Sequence, residues 1–96
     1  MAAFRLSRAA EDDLARLYRR GIIEFGMQQA DRYYDGLIAR LERIAAEPSL
    51  YPAVDHLRTG YRRSVYGAHS IYYRTDDDGV EIVRVLGRED AAGQLD

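Results

Sequence analysis

The chain has 96 residues, no cysteine, 47% hydrophobic and 31% charged content, and 14 basic against 16 acidic side chains, for a net charge of −2. That length suits one domain (residues 1–96) and leaves no room for two independent cores. The charge has the wrong sign for binding nucleic acid by bulk electrostatics. Without cysteine there is no disulfide scaffold, thiolate zinc site or cysteine nucleophile. All 14 basic residues are arginine, which removes Schiff-base lysines and the phosphate-loop lysine.

Phe4-Arg5-Leu6 alternates as a short first strand. Ser7 can cap a helix, and Glu11, Asp12 and Asp13 place negative charge in its early turns, where the dipole favours it. Ala10, Leu14, Leu17, Tyr18, Ile22 and Phe25 then recur at 3-4 spacing, one face of a helix of about four to five turns. Gly21 weakens that helix by roughly 1 kcal/mol relative to alanine, and Gly26 is expected to end it as a left-handed cap. A second stripe, Ala30, Tyr34, Leu37, Ile38, Leu41, Ile44 and Ala45, runs to the stop at Pro48. So short a connection makes the two helices an antiparallel hairpin.

Beyond the connector 48–60 the period changes from 3.6 to 2. Strands are expected at Tyr61–Tyr66, Ala68–Thr75 and Val80–Leu86, with turns at Gly67 and Asp78-Gly79. The run Val80, Ile82, Val83, Val85, Leu86 is apolar on both faces, as in a central strand. The fold class is therefore α+β: a short N-terminal strand, a helical hairpin, and a three-stranded antiparallel meander, forming one antiparallel sheet with the hairpin on one face.

Charge is uneven along the chain. Residues 1–55 hold 8 Arg and 9 acids, residues 56–75 hold 4 Arg and no acid, and residues 76–96 hold 2 Arg and 7 acids. In the basic segment Tyr61-Arg62-Arg63 should face Tyr72-Tyr73-Arg74, which suits either stacking on single-stranded nucleic acid or ordinary cross-strand pairing. His56 and His69 have no second ligand at metal spacing, and a hydrogen-bonding role is expected for His69. Asp76-Asp77-Asp78-Gly79 lacks the alternating ligands of a calcium loop and reads as a solvated turn. No metal or cofactor is expected, and an enzyme is possible only through Arg, His and acid groups. Met1-Ala2-Ala3-Phe4-Arg5 lacks the apolar core of about 7 or more residues that a leader uses, and no uncharged stretch reaches the roughly 18–20 residues that a membrane span needs, so no export signal and a cytoplasmic location are expected.

Several strings together resemble the ParE branch of the RelE/ParE toxin superfamily of type II toxin–antitoxin modules. They are Phe4-Arg5-Leu6-Ser7 with its acidic helix start, Phe25-Gly26, Leu57-Arg58-Thr59-Gly60-Tyr61-Arg62-Arg63, Gly67-Ala68-His69, Tyr73-Arg74 and Ile82-Val83-Arg84-Val85-Leu86. The resemblance covers essentially the whole chain. It implies a growth-inhibiting toxin that poisons DNA gyrase by protein–protein contact, with no enzymatic activity, and a ParD-like antitoxin that neutralises it. Operator DNA would be reached only indirectly, through the antitoxin. Where the family usually ends its last strand with a histidine, this chain has Gly87, although Asp90 stands three residues on.

The alternative is a RelE-like, ribosome-dependent mRNA endoribonuclease. Such enzymes use Lys and Arg plus a Tyr or His near the C-terminus for proton transfer and phosphorane stabilisation. Here lysine is absent, and neither Tyr nor His follows Tyr73. A domain this small cannot bury all sides of two helices, so Leu17, Tyr18, Ile22 and Phe25 are expected to serve a partner helix. Arg62 and Arg63 are expected to contact antitoxin carboxylates. Arg74, Arg84 and Asp90 are expected to bind the target or anchor the tail, Arg84 through Glu81 or Asp90.

Overall fold

The computed structural model describes residues 3–87. Strand β1 (Phe4–Leu6) leads into helices α1 (Arg8–Phe25) and α2 (Met27–Ala46) and a 3-10 turn at Pro48–Leu50. Strands β2 (Arg62–Tyr66), β3 (His69–Asp76) and β4 (Gly79–Gly87) follow. The four strands form one sheet in the order β1-β4-β3-β2.

Ser7 joins the first two elements. Its backbone N–H donates to Ile82 O (3.0 Å), ending the β1 ladder. Its hydroxyl accepts from Ala10 N (3.0 Å) and donates to Val83 O (2.7 Å), capping α1 while tying it to β4. The expected left-handed cap at Gly26 is not what forms. Gly26 has φ 88° but ψ 161°, an extended value, because this one residue ends α1 and begins α2. Its N–H still closes on Ile22 O (2.9 Å), and its carbonyl accepts from Ala30 N (3.0 Å). Only glycine visits that conformation at low cost.

The meander forms with strand limits shifted by a residue or so from those expected. In the second hairpin Asp76 pairs with Gly79, so Asp77 and Asp78 occupy the turn and Gly79, at φ 111°, follows it. All described non-glycine residues have negative φ. The turn is therefore one of ordinary handedness completed by a glycine, rather than an Asp-Gly pair at its centre. The sheet also corrects the expectation of a purely antiparallel one: β1 pairs with β4 in parallel, Phe4 opposite Val80 and Leu6 opposite Ile82. The long connection through both helices and the meander makes a parallel return possible.

The main core lies between the hairpin and the sheet. Ala10, Leu14, Leu37, Leu41 and Ile44 pack on Ile71, Tyr73, Val80, Ile82 and Val85. On the other face Val54, Tyr72 and Leu86 form a second cluster with Leu57 and Tyr61, so the connector after the helices covers the sheet's underside. The arginine–tyrosine facing is present, with Arg62 opposite Tyr73 and Arg63 opposite Tyr72. Both tyrosines are buried, however, and offer no ring to a nucleobase.

A β-bulge re-phases the central strand. Tyr72 pairs with Arg84 but Tyr73 with Ile82, leaving Val83 as the extra residue. Strict alternation would put Arg84 on the core face with Val80 and Ile82. The bulge puts Val85 there instead, and Arg84 meets α1 at the core's margin. At the outer edge of the sheet, Arg40 Nη1 donates to Ser64 Oγ (2.8 Å) and Val65 O (2.9 Å), and Arg63 N donates to Pro52 O (3.1 Å). These contacts cover part of the β2 edge against strand pairing.

Gly21 is where the helices approach closely, since a Cβ there would lie 3.4 Å from Ala30 Cβ, at ordinary contact distance. Gly21→Ala is therefore expected to stabilise the fold by about 0.5–1 kcal/mol through helix propensity. A calorimetric Tm raised by about 3–6 °C would show it; a fall would mean that the helices cannot accept the methyl group.

Candidate functional site: a groove between the helical hairpin and the sheet

A groove of about 450 Å³ opens where α1 and α2 meet the β2–β3 turn and the end of β4. Leu17, Tyr18, Gly21, Phe25 and Ala30 supply its apolar wall, and Tyr33, His69 and Gly87 also line it. Phe25 is 60% exposed, and Ile23 and Met27 beside it are also exposed, so apolar surface continues around the end of the hairpin. A second groove of about 340 Å³ adjoins the first, sharing Leu17, Arg20, His69 and Gly87, and is lined further by Asp13, Arg16 and Arg84.

The wall between the grooves is held by two networks. Tyr33 Oη accepts from Ala68 N (3.2 Å) and lies 3.0 Å from Tyr66 O and 2.7 Å from His69 Nδ1. With its single proton on the Tyr66 carbonyl, Oη accepts from Ala68 and from a protonated Nδ1, so every hydroxyl site is used. Burial pushes the Tyr33 phenol above its ordinary pKa. Gly67 belongs to the same turn: at φ 53° a Cβ would come within 2.7 Å of the Tyr33 ring, so only glycine fits beneath it.

The second network centres on Asp13, which is 3% exposed. Its Oδ2 accepts from Arg84 Nε (2.8 Å) and Val85 N (2.9 Å); its Oδ1 accepts from Arg84 Nη2 (2.9 Å) and Arg16 Nη2 (2.7 Å). The Arg84 contact is a bidentate fork, and hydrogen bonding to Asp13 raises the Arg84 guanidinium above its usual value. The geometry has a topological cause. β1 pairs with β4 only as far as Ile82, so Val85 N meets no strand on that side and takes a carboxylate from α1 instead.

The residues singled out from sequence are thus dispersed. Leu17, Tyr18 and Phe25 line the first groove, whereas the half-buried Ile22 does not. The Tyr18 hydroxyl donates to Asp31, and its ring packs edge-on against Tyr34 at 5.3 Å between centroids. Arg62 and Arg63 lie on β2, outside both grooves, and Arg62 Nη1 donates to Tyr51 O (2.6 Å). Arg74 pairs with Glu81 (2.8 Å), so the expected Arg84–Glu81 contact is replaced by Arg84–Asp13. Asp90 lies outside the described residues. Sequence reasoning missed Asp13, Arg16 and Tyr33 as site residues. For Asp13 a signal existed: it stands three residues after Ala10 and four before Leu17, so a carboxylate sits in the apolar stripe.

Among the described residues no three His, Cys, Asp or Glu side chains are grouped to hold a metal ion. No helix there is long and apolar enough to cross a membrane.

A helical hairpin laid on a mixed sheet, with an open groove at one end, defines a RelE/ParE-type fold. The fold matches a chain from a chromosomal ParDE toxin–antitoxin system of P. aeruginosa with a TM-score of 0.78 at 17% identity, over 93% of this chain and 98% of that one. It also matches a chain of the RelBE2 toxin–antitoxin complex of Mycobacterium tuberculosis, with a TM-score of 0.59 at 22% identity, over 91% and 98% of the two chains. The family described as the ParE toxin of the type II toxin–antitoxin system parDE matches residues 4–92, and the chain belongs to that family. Toxin ParE1 of Caulobacter vibrioides is 40% identical over 86 residues, 90% of this chain and 88% of the relative. Toxin ParE1 of M. tuberculosis is 35% identical over 82 residues, 84% of each.

Proposed function

We propose that this chain is a ParE-like toxin that inhibits DNA gyrase by protein–protein contact, without catalysis, and that a ParD-like antitoxin neutralises it by covering the groove. The carrying observation is the open groove of about 450 Å³ walled by Leu17, Tyr18, Phe25 and Ala30. Exposed apolar surface rimmed by charge is what an amphipathic helix covers. The ParE membership supports gyrase as target, and a ribbon-helix-helix segment on the antitoxin would account for operator binding. Purified toxin should block supercoiling by gyrase, and added antitoxin should restore it. Intact supercoiling at saturating toxin would sink the gyrase reading.

One observation favours the ribonuclease alternative. His69, hydrogen-bonded to Tyr33, lines a groove together with Arg16, Arg20 and Arg84, so an acid–base group and cations share one surface. Primer extension on translated mRNA decides it: cuts that vanish in His69→Gln would replace the gyrase reading, and uncut mRNA leaves the gyrase reading in place.

A further inference from the structure

The two adjoining grooves share a wall but not a chemistry. Over Leu17, Phe25 and Ala30 the first is apolar; past Leu17 the second is faced by Arg16, Arg20 and Arg84. Among the described residues the acid that lines the second is Asp13, and both its oxygens are already occupied. Asp13 thus serves two guanidiniums with one carboxylate, those of Arg16 and Arg84. Arg20 differs, because Glu24 pairs with it at 2.8 Å.

Arg16 is the member built to receive something. Its side chain is 63% exposed while the side chain of its partner Asp13 is 2% exposed, so the guanidinium is pinned from below and open above. A guanidinium carries five donors, and Arg16 spends one of them on Asp13. Holding it in place beforehand reduces the side-chain entropy lost when a second carboxylate binds. Such a carboxylate would complete an alternating arrangement: Arg84, Asp13, Arg16, then the partner's acid.

We propose that the two grooves together read one amphipathic, acidic segment of the partner: apolar side chains fill the first groove, and a carboxylate further along the same segment docks on Arg16. This rests on the antitoxin reading above and adds the chemistry that the antitoxin must present there.

The probe is a purified ParD-like antitoxin of the kind proposed above, titrated calorimetrically into the intact toxin. Arg16→Gln is expected to weaken binding about 10- to 30-fold near 0.05 M NaCl, and to flatten the loss of affinity that the wild type shows as salt rises toward about 0.5 M. Because Arg16 is exposed, its Tm should move by no more than about 2–4 °C. Arg32→Gln, which removes the same charge from an exposed position on α2 outside both grooves, should alter affinity less than about twofold. A charge swap, Arg16→Glu against an arginine at the partner's matching acid, should recover most of the loss. Equal affinity of wild type and Arg16→Gln at low salt overturns the acidic contact but leaves the antitoxin reading intact. Failure of the ParD-like antitoxin to bind even the wild type overturns both. If Arg16→Gln loses mRNA cleavage while its antitoxin affinity is unchanged, the surface belongs to nucleic acid and the proposal falls.

Discussion

Asp13→Ala is expected to cost about 3 kcal/mol of stability, lowering Tm by about 15 °C in a domain of this size. The substitution removes the carboxylate that takes both ends of the Arg84 guanidinium, whose side chain is only 19% exposed, and strands the buried Val85 N–H at the end of the β1–β4 ladder. Removing one partner of a buried pair costs more than the pair ever contributed, because the other charge stays behind. Asp13→Asn tests the same point with shape conserved, since its amide turns a donor toward groups that all donate. Adding Arg84→Met to Asp13→Ala should recover part of the loss but not all, because Val85 N remains unpaired. The deficit should persist at high salt, unlike any effect of the exposed Arg5–Asp76 or Arg20–Glu24 pairs. A loss under about 1 kcal/mol would mean that water replaces the carboxylate at low cost.

The same network shows what a one-dimensional reading reaches. Ser7 as a cap, Pro48 as a stop and the turn at Gly67 are signals that act within a few residues, and each lies where the pattern puts it, while the second turn falls one residue early, at Asp77-Asp78. The parallel return of β1 onto β4 has no local signal, since its partners are separated by both helices and the meander. Nor has the bulge at Val83: an apolar run on both faces of a central strand gives no clue to where alternation slips by one. Yet that slip decides the fate of Arg84. Strict period 2 places Arg84 on the core face and Glu81 on the opposite one, so nearness along the chain alone is what points to Glu81 or Asp90 as its partner. The fold instead supplies Asp13, 71 residues earlier.

The candidate site divides the same way. Leu17, Tyr18 and Phe25 were legible because a helix with too much apolar surface must share it. The basic half of the site was not, because Arg16 lies off the apolar stripe and reads as solvated. Its position is fixed by Asp13, and Asp13's burial follows from where β1 stops. Function-bearing geometry here is thus set by the ends of elements, where one ladder runs out and a side chain takes over.

Tyr73→Ala is expected to have the largest effect of any single change, about 4 kcal/mol, against a total of roughly 5–15 kcal/mol for a domain. Tyr73 is fully buried in the middle of the sheet, flanked by Arg62 on β2 and Ile82 on β4. Its ring packs in the core with Leu37, Leu41 and Ile44. Its hydroxyl donates to Pro48 O at 2.6 Å, joining the sheet to the 3-10 turn that follows α2. Tyr73→Phe keeps the ring and loses only that bond, for about 1 kcal/mol, so the two variants separate packing from hydrogen bonding. Alkaline pH gives a third readout. Burial pushes the Tyr73 phenol up, with Arg62 pulling weakly the other way. The unfolded chain ionises this phenol near pH 10 while the folded one still holds its proton. Its contribution is therefore complete below about pH 10 and is lost as pH rises from there through the raised folded value. In Tyr73→Phe the alkaline fall in stability, followed by urea unfolding, should be shallower than in the wild type but not abolished, because Tyr33 is raised by burial as well. Parallel alkaline limbs in the two proteins would show that the phenol titrates alike in the folded and unfolded chain, and the Tyr73–Pro48 link would then carry none of the pH dependence.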